Sequence, residues 1–450
     1  MEKKVLIIGA GEVGYNLAKT LSGEDYEITI VDNDPKKCEY VGSTLDAKVF
    51  EGDGTSQRVL QQVNMEEIDI LLGLTRVDEV NIVAARIGRK LGAKKIICRL
   101  RSTEYCHKDA VITPEQFGID HVTYPERAAQ REIERLIRQS SAVEIQEFSD
   151  GKIMMVGIKL EPSSPLIGRT VQNIELSNPF IHHKLVVVNR GESTFIPHQD
   201  IVYKKNDIVY FVGKAKDISK IQQMAGKPAI DVNSIIILGA SKIGRLLARS
   251  LQKDFNVKLI EKDKDKAIEM GMKYPDTLVL NGSGTDIAFL ESEGINETDI
   301  FIAVTDNEQT NILSAMLAKH LGAKQVFPHI TTTSYLHAVR RIGVDVVVSK
   351  NISAVNEIIN FIRSEKGKSY TVSRFDELDI EALELTAGLD SKYVRKKYGI
   401  HKIPENVSLG AIIRGDIIEI PNPHSVIQPN DKLLLFTKPS CVQKAENLFQ

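Results

Sequence analysis

The sequence repeats itself about 230 residues further along the chain, and this feature limits its possible folds more than any other. The matched pairs include glycines, polar residues and a tetrapeptide: Gly9 and Gly239, Gly14 and Gly244, Asp69 and Asp299, Asn81 and Asn311, and residues 91–94 and 321–324. A period of this length indicates duplication of whole domains, because solenoid repeats are much shorter. With a length of 450 residues, the duplication predicts four lobes in two similar halves.

Each half opens with short apolar runs that alternate with amphipathic segments. In the first half we expect strands at 5–8, 28–31, 48–50, 68–72 and 95–98, and a long helix at 78–91. The same series recurs between residues 234 and 349. Apolar strands that alternate with helices indicate a parallel sheet covered on both faces. The expected fold class is therefore α/β, with two Rossmann-like, doubly wound parallel sheets.

One amphipathic helix is expected after each sheet, at 126–139 and 353–364. The apolar stripe of each helix must cover another surface. Two arrangements remain open: each helix packs on its own sheet, or it lies between neighbouring lobes.

The segments that follow these helices are rich in turn residues placed before short β-branched and aromatic runs. Residues 185–192 match 410–416, and residues 205–211 match 429–436. Such chemistry is typical of small β-rich α/β lobes. The expected boundaries are 1–139, 140–226, 232–364 and 365–450, with residues 226–228 as the linker between the halves.

Composition excludes several classes of protein. The net charge of −2 offers no basic surface for nucleic acid, and no apolar run approaches the length of a membrane span. The four cysteines lack metal-ligand spacing. The adjacent His182 and His183 would point to opposite faces of a strand, so they would not bind one metal ion together with His198. We predict no metal site, and no catalytic constellation is recognisable.

The strongest motif is a glycine-rich turn, Gly9-Ala10-Gly11-Glu12-Val13-Gly14, between a strand and a helix. In a dinucleotide-binding turn the first glycine permits the tight bend, the second lets a diphosphate approach the backbone, and the third allows close packing of helix and strand. The helix N-terminus adds unpaired N–H groups. Asp32 ends the second strand, where a carboxylate would bind ribose hydroxyls and repel a 2′-phosphate. The motif therefore predicts binding of NAD or an adenine nucleotide.

Three further residues lie at the carboxyl ends of predicted strands, where open α/β sheets bind ligands. Asp53 would border the adenosine, Thr75 would bond a ribose or phosphate, and Arg99 would clamp a phosphate. The alternative for each residue is a loop cap or a surface charge.

The second copy departs from the first at its phosphate turn. Its matching positions are Gly239, Ser241 and Gly244 in the turn, Glu261 and Thr305 at strand ends, Ser283 for Asp53, and His329 for Arg99. A serine side chain stands where the phosphates would approach, and a histidine is largely neutral at pH 7. We expect the second site to bind nucleotide more weakly or to prefer another ligand.

With these residues in place, the chain resembles the TrkA family of Trk potassium-uptake regulatory proteins. The resemblance rests on the glycine turn, Asp32, residues 52–55, residues 75–81 and the order of the four lobes. It implies alternating RCK N-lobes and C-lobes in a cytoplasmic subunit on the inner face of the membrane. It also implies a homotetrameric ring with eight N-lobes, NAD(H) and ATP/ADP as effectors, and a potassium-translocating (TrkH/TrkG-like) membrane partner. By the same resemblance Gly9, Gly11 and Gly14 form the phosphate turn, Asp32 is the ribose acid and Arg99 is the phosphate clamp.

Two other functions compete with this one. An NAD-dependent oxidoreductase would need a substrate domain with a proton donor beside the nicotinamide, and neither β-rich segment shows one. A redox sensor acting on transcription would need a helix-turn-helix and a basic surface, which the sequence lacks.

Overall fold

The structure is a computed structural model that describes residues 3–22, 26–107, 109–138, 144–149, 151–191, 193–227, 232–364, 371–375, 379–389, 391–395 and 403–449. Pro228 of the predicted linker, Gln139 at the predicted helix end and Glu192 of the matched hairpin lie outside these residues. Within the described part of the chain, no helix is long and apolar enough to cross a membrane.

The first N-lobe is a parallel six-stranded sheet in the order β3-β2-β1-β4-β5-β6. Its strands are β1 Lys3–Ile8, β2 Tyr26–Asp32, β3 Lys48–Glu51, β4 Ile70–Gly73, β5 Lys95–Arg99 and β6 His121–Thr123. Its helices are α1 Glu12–Leu21, α2 Pro35–Thr44, α3 Gln57–Gln62, α4 Asp78–Lys90 and α5 Pro125–Arg138. The last four residues of β1 are buried, as a strand covered on both faces requires.

The first C-lobe is an antiparallel sheet in the order β10-β9-β11-β8-β7. Its strands are β7 Glu144–Phe148, β8 Ile153–Lys159, β9 His183–Arg190, β10 Ser193–Phe195 and β11 Ile208–Lys214, and its helices are α6 Val171–Ser177 and α7 Ile218–Met224. Gly191 has φ +66° in the turn between β9 and β10, a conformation that favours glycine.

The second N-lobe repeats the parallel sheet, in the order β14-β13-β12-β15-β16. Its strands are β12 Ser234–Leu238, β13 Asn256–Glu261, β14 Leu278–Asn281, β15 Ile300–Ala303 and β16 Gln325–Pro328. Its helices are α8 Lys242–Leu251, α9 Lys264–Lys273, α10 Ile287–Ser292, α11 Glu308–His320, α12 Leu336–Arg341 and α13 Lys350–Ser364. A single bridge between His329 and Val348 stands where the first N-lobe has β6.

The second C-lobe repeats the antiparallel sheet, in the order β17-β18-β21-β19-β20. Its strands are β17 Thr371–Phe375, β18 Ile380–Thr386, β19 Val407–Arg414, β20 Ile417–Glu419 and β21 Lys432–Thr437, and its helices are α14 Lys392–Arg395 and α15 Val442–Phe449. Its hairpin turn places Gly415 at φ +59°, as Gly191 does in the first C-lobe. The predicted α/β fold class is confirmed.

Lobes of the same type belong to the same compact unit, although they are not consecutive in the chain. One compact unit joins residues 1–134 to 233–359, and a second unit joins 135–232 to 360–450. In the second unit both C-lobes contribute to one apolar core, where the rings of Phe148 and Phe436 meet edge to face with centroids 6.0 Å apart.

Helix α5 contacts the second N-lobe through polar side chains. Arg131 of α5 forms an ion pair with Glu357 of α13 at 2.7 Å, and Glu132 accepts a hydrogen bond from the Ser353 hydroxyl. Gln130 of α5 lies 3.4 Å from the Ser250 hydroxyl in α8. The polar faces of these helices therefore help to join the two N-lobes.

Candidate nucleotide site

The three glycines of the first turn meet three different steric demands. Gly9 has φ +106°, and a Cβ there would lie 3.0 Å from the Thr75 nitrogen. A Cβ on Gly14 would lie 1.9 Å from the Gly9 carbonyl oxygen, so only glycine allows helix and strand to approach this closely. A Cβ on Gly11 would meet nothing within 4 Å. The space beside Gly11 is therefore open to a ligand, as a phosphate turn requires.

Asp32 is fixed beside this turn by main-chain groups. Its two carboxylate oxygens accept hydrogen bonds from the N–H of Ala10 at 2.6 Å and of Asp34 at 2.9 Å. The side chain is 8% exposed, and the ammonium of Lys37 lies 3.9 Å away. Each carboxylate oxygen has a second lone pair, so Asp32 retains the capacity to accept from ribose hydroxyls.

The side chains of Glu12 and Val13 are engaged within the protein. Val13 is buried, and the Glu12 carboxylate accepts a hydrogen bond from the Thr333 hydroxyl of the second N-lobe at 3.0 Å. At Gly11, which caps α1, no side chain bonds to the first turn of the helix. The backbone N–H groups of Glu12 and Val13 can therefore bind an anion, whereas the N–H of Ala10 is already bonded to Asp32.

Asp53 is bound to its own loop. Its carboxylate accepts from both the backbone N–H and the hydroxyl of Thr55 at 2.8 Å, and these bonds lower the pKa of Asp53. The side chain is exposed, two residues after the end of β3, and it caps its own loop.

Thr75 belongs to a network centred on Asn81. The Asn81 oxygen accepts from the Thr75 N–H at 3.0 Å and from its hydroxyl at 2.7 Å, while the amide nitrogen donates to the carbonyls of Thr75 and Arg99 at 3.1 and 2.8 Å. The Thr75 hydroxyl uses its one hydrogen inside the protein and can meet a ligand only as an acceptor. Asn81 is fully buried and was not predicted as a site residue, although its recurrence as Asn311 was the available signal.

Arg99 lies at the end of β5 with its side chain 7% exposed. Burial lowers the pKa of Arg99, and the carboxylate of Glu126 opposes that effect. Its Nε has no hydrogen-bond partner among the described residues. A buried guanidinium with an unused donor is suited to bind an anion, because phosphate oxygens can accept the hydrogen bonds that the guanidinium would otherwise donate to water.

The second site keeps the acid and the threonine network of the first. Glu261 accepts from the N–H groups of Ala240 at 2.8 Å and Asp263 at 3.0 Å; burial would raise the pKa of Glu261, but these bonds and Lys266 lower it. Thr305 donates to Asn311 at 2.7 Å, as Thr75 does to Asn81.

The phosphate turn of the second site differs in its hydrogen bonds. The turn keeps Gly239 at φ +100° and Gly244 packed against it, but the Ser241 hydroxyl accepts from the Gly244 N–H at 3.3 Å. That bond occupies an N–H that the first site leaves to a ligand. Burial, with Lys350 nearby, lowers the pKa of His329 to about 4, so the residue that replaces Arg99 is neutral at pH 7.

The described residues contain no group of three or more His, Cys, Asp or Glu side chains that could hold a metal ion. His182 is exposed and precedes β9, whereas His183 is the first residue of that strand and is buried. His198 lies 3.7 Å from Glu405.

Comparisons with known proteins follow the same four-lobe pattern. The TrkA-N domain matches residues 5–125 and 235–350, and the TrkA-C domain matches residues 155–226 and 383–450. The chain belongs to the TrkA family. It is 32% identical to a Methanosarcina mazei protein called Trk system potassium uptake protein TrkA homolog 2, over 99% of this chain and 100% of that one. The TrkA protein of Halomonas elongata is 30% identical over 99% of this chain and 98% of its own.

Solved structures support the fold of this TrkA-family chain. The RCK domain of GsuK has a TM-score of 0.60 at 17% identity and covers 100% of this chain and 95% of that one. The GsuK channel bound to NAD has the same score and identity and covers 100% of this chain and 79% of that one. The expected RCK fold and family are confirmed.

Proposed function

We propose that this chain is the nucleotide-sensing regulatory subunit of a Trk-type potassium uptake system. In this proposal NAD(H) and ATP/ADP are effectors and not substrates, and the chain regulates a potassium-translocating membrane subunit. The observation that carries the proposal is the open space beside Gly11, next to an uncapped helix N-terminus and the fixed carboxylate of Asp32. Relatives named as Trk potassium uptake proteins support the system, and a related channel solved with NAD supports the ligand class.

The site residues act as follows. Gly9 and Ala10, whose N–H groups bond to Val31 and Asp32, shape the turn. Gly11, Glu12, Val13 and Gly14 offer backbone N–H groups to the diphosphate. Asp32 binds the ribose, Arg99 binds phosphate, and Asp53 and Thr75 border the nucleotide. The matching residues Gly239, Ser241, Gly244, Glu261 and Thr305 form a second, weaker site. The boundaries 1–139, 140–226, 232–364 and 365–450 delimit the four lobes that carry these sites.

Positive charge from the second N-lobe reaches the surroundings of the first site. Lys242 donates to the carbonyl of Arg101, and Lys350 lies 3.4 Å from Glu126, whose carboxylate also interacts with Arg99. A nucleotide with an additional phosphate would interact with this charge more strongly than a shorter one. This difference gives the protein a physical basis for distinguishing ATP from ADP.

A ring assembly provides enough free energy for gating. A ligand shifts an equilibrium only by its difference in affinity for the two states. Moving a gate from 1:99 to 99:1 requires about 5.5 kcal/mol, whereas one site typically supplies about 1–3 kcal/mol. Four sites at about 1.4 kcal/mol each suffice. We therefore place this chain in a homotetramer on the cytoplasmic face of the membrane.

Calorimetry of the full chain with NAD, NADH, ADP and ATP tests the proposal. Binding is expected for the wild type and strongly reduced for Gly11→Val, whose side chain enters the open space, whereas Gly42→Ala retains it, since a Cβ there lies 3.9 Å from Val49. Absence of heat with every adenine nucleotide overturns nucleotide sensing. The runner-up, an NAD-dependent oxidoreductase, predicts cofactor turnover at 340 nm with a substrate, and binding without turnover favours the regulator.

A further inference from the structure

The first C-lobe has polar side chains in its core where the second C-lobe has apolar ones. Two equivalent ion pairs establish the register between the lobes: Arg190 with Asp207 and Arg414 with Asp431, both bidentate. Their positions differ by 224 residues in each case (190 and 414, 207 and 431). The structures of the two C-lobes can therefore be compared residue by residue.

At this spacing, His183 corresponds to Val407 and Tyr203 to Ile427. Val407 and Ile427 are part of a continuous apolar core in the second C-lobe. An imidazole and a phenol thus replace two aliphatic side chains at buried positions of the first C-lobe. The substitution has a cost unless each polar atom finds a partner.

Several of these polar atoms have no partner among the described residues. They are His183 Nε2, Tyr203 Oη, and both Nε2 and Oε1 of Gln222 on α7. His183 is 7% exposed, Tyr203 1% and Gln222 0%. The Phe211 ring lies next to both rings, with centroids 5.6 Å from His183 and 6.4 Å from Tyr203. The helix-covered face of this sheet therefore combines tight packing with unsatisfied polar groups.

The surroundings of His183 suit the neutral imidazole. Its Nδ1 lies 2.7 Å from the Ile181 carbonyl, which can only accept, so Nδ1 carries the hydrogen and Nε2 is bare. Burial lowers the pKa of His183; the Ile181 carbonyl and Glu175 of α6 act against this, and Lys184 and His182 add to it. Glu175 is itself paired with Lys184 at 3.0 Å.

Helix α7 packs beside this histidine. His183 pairs across the sheet with Gly213 of β11, and a Cβ on Gly213 would lie 2.5 Å from the Ile221 side chain of α7. Ile218, Ile221 and Gln222 are the α7 residues buried nearest this contact, and none of them is charged. The charged residues Asp217 and Lys220 at the start of α7 pair with each other at 3.7 Å. A charge on His183 would thus lie beside the contact between α7 and the sheet without a compensating partner from α7.

We propose that His183 makes the first C-lobe an acid-sensitive element, in which protonation of Nε2 releases α7 from β11 while the second C-lobe keeps its packing. This inference is independent of the proposed nucleotide function. In the closed state α7 packs on β11, and in the open state it is released. Because the pKa of His183 is lowered in the closed state, the open state binds the proton more tightly. The closed state is therefore favoured above pH 6.5 and weakened below it. Opening is expected to increase as the pH falls below that value, by at most about tenfold per pH unit.

Amide hydrogen exchange on the full chain at pH 8.0 and 5.5, corrected for intrinsic exchange rates, tests the proposal. Peptides of β11 and α7 are expected to exchange faster at pH 5.5, by up to about tenfold, while the equivalent peptides of β21 and α15 show no such change. His183→Val, which installs the residue of the second C-lobe, should abolish the response, and His182→Gln, at an exposed position, should retain it.

Two results overturn the proposal: an equal response in both C-lobes, or a response that persists in His183→Val. Histidine-selective NMR titration of the wild type provides a second test that does not depend on correct folding of the His183→Val variant. A titration midpoint of His183 at or above 6.5 overturns the proposal, and a midpoint below it supports the proposal.

Discussion

The side-chain amide of Asn81 donates to the Arg99 carbonyl at 2.8 Å and thereby ties the ends of strands β4 and β5 together. Asn311 makes the same bond to the His329 carbonyl at 3.0 Å in the second N-lobe. Each asparagine is fully buried and also bonds the main chain and hydroxyl of a threonine. The strand ends that carry Thr75 and Arg99 are therefore positioned by a residue that is itself fully buried.

Asn81→Ala should lower the free energy of unfolding of the first N-lobe by about 2–4 kcal/mol, because buried main-chain groups lose their partners. Nucleotide affinity at the first site should fall as well, since Thr75 and Arg99 are released. Asn311→Ala is the matched control, with a similar loss of stability and no effect on the first site. Thermal melts and calorimetry measure the two effects, and equal losses of affinity in both variants would contradict this role for Asn81.

Exchanging the middle residues of the two phosphate turns should exchange part of their binding behaviour. Gly11→Ser meets no steric obstacle in the folded protein, but its hydroxyl should cap α1 as Ser241 caps α8. We expect NAD or ADP affinity at the first site to fall at least tenfold, about 1.4 kcal/mol. Ser241→Gly should raise affinity at the second site. Calorimetry of each single variant decides, and unchanged dissociation constants in both would refute the explanation.

How far the sequence predicts this structure depends on the range of the interactions involved. The five strands predicted for the first N-lobe follow from local apolar periodicity, so their positions agree with expectation to within about two residues, whereas the short strand β6 was not predicted. The pairing of like lobes does not follow, because Phe148 and Phe436 are distant in the chain and no local pattern records their contact. For the same reason the sequence did not predict the contacts of α5 with the second N-lobe.

The candidate site divides in the same way. The three glycines and Asp32 are predictable because the phosphate turn imposes residue types at fixed spacing, and the structure gives each a matching environment. Asn81 was missed because a buried asparagine inside a helix has no distinctive local signal. The engagement of the Thr75 hydroxyl with Asn81 is likewise a tertiary feature.

Acid should remove stability from the second N-lobe through Asp299. Its carboxylate accepts from the N–H groups of Asn233 at 2.8 Å and Ser234 at 2.9 Å and pairs with Lys324; burial raises its pKa, but the Lys324 and main-chain bonds outweigh it and lower the pKa. A lowered pKa means that the stabilisation is complete above the ordinary value of 3.8 and is lost as the pH falls through the folded-state value.

Asp299→Asn should therefore lower the melting temperature at pH 7 and flatten its decline below pH 4. Asp69→Asn is the matched substitution in the first N-lobe. Its smaller effect is expected because the Asp69 side chain is 27% exposed, against 6% for Asp299. Melting temperatures measured from pH 7 to pH 3 check the prediction, which fails when the Asp299 variant and the wild type keep parallel pH profiles.

Substitution of Glu126 of α5 and of Lys350 of α13, which form an ion pair between the two N-lobes, should lower stability by different amounts. Lys350 Nζ lies 3.4 Å from the Glu126 carboxylate, which is 7% exposed; burial would raise the pKa of Glu126, but Lys350, Lys242 and Arg99 lower it.

Glu126→Gln leaves three cations without their anion and should cost about 2–4 kcal/mol, whereas Lys350→Met leaves Glu126 two other cations and should cost about 1–2 kcal/mol. The more exposed pair of Arg131 and Glu357 is the control, and Glu357→Gln should cost under about 1 kcal/mol. Unfolding free energies from denaturant titration measure all three, and a smaller loss for Glu126→Gln than for Lys350→Met would show that Glu126 is not the shared partner of these cations.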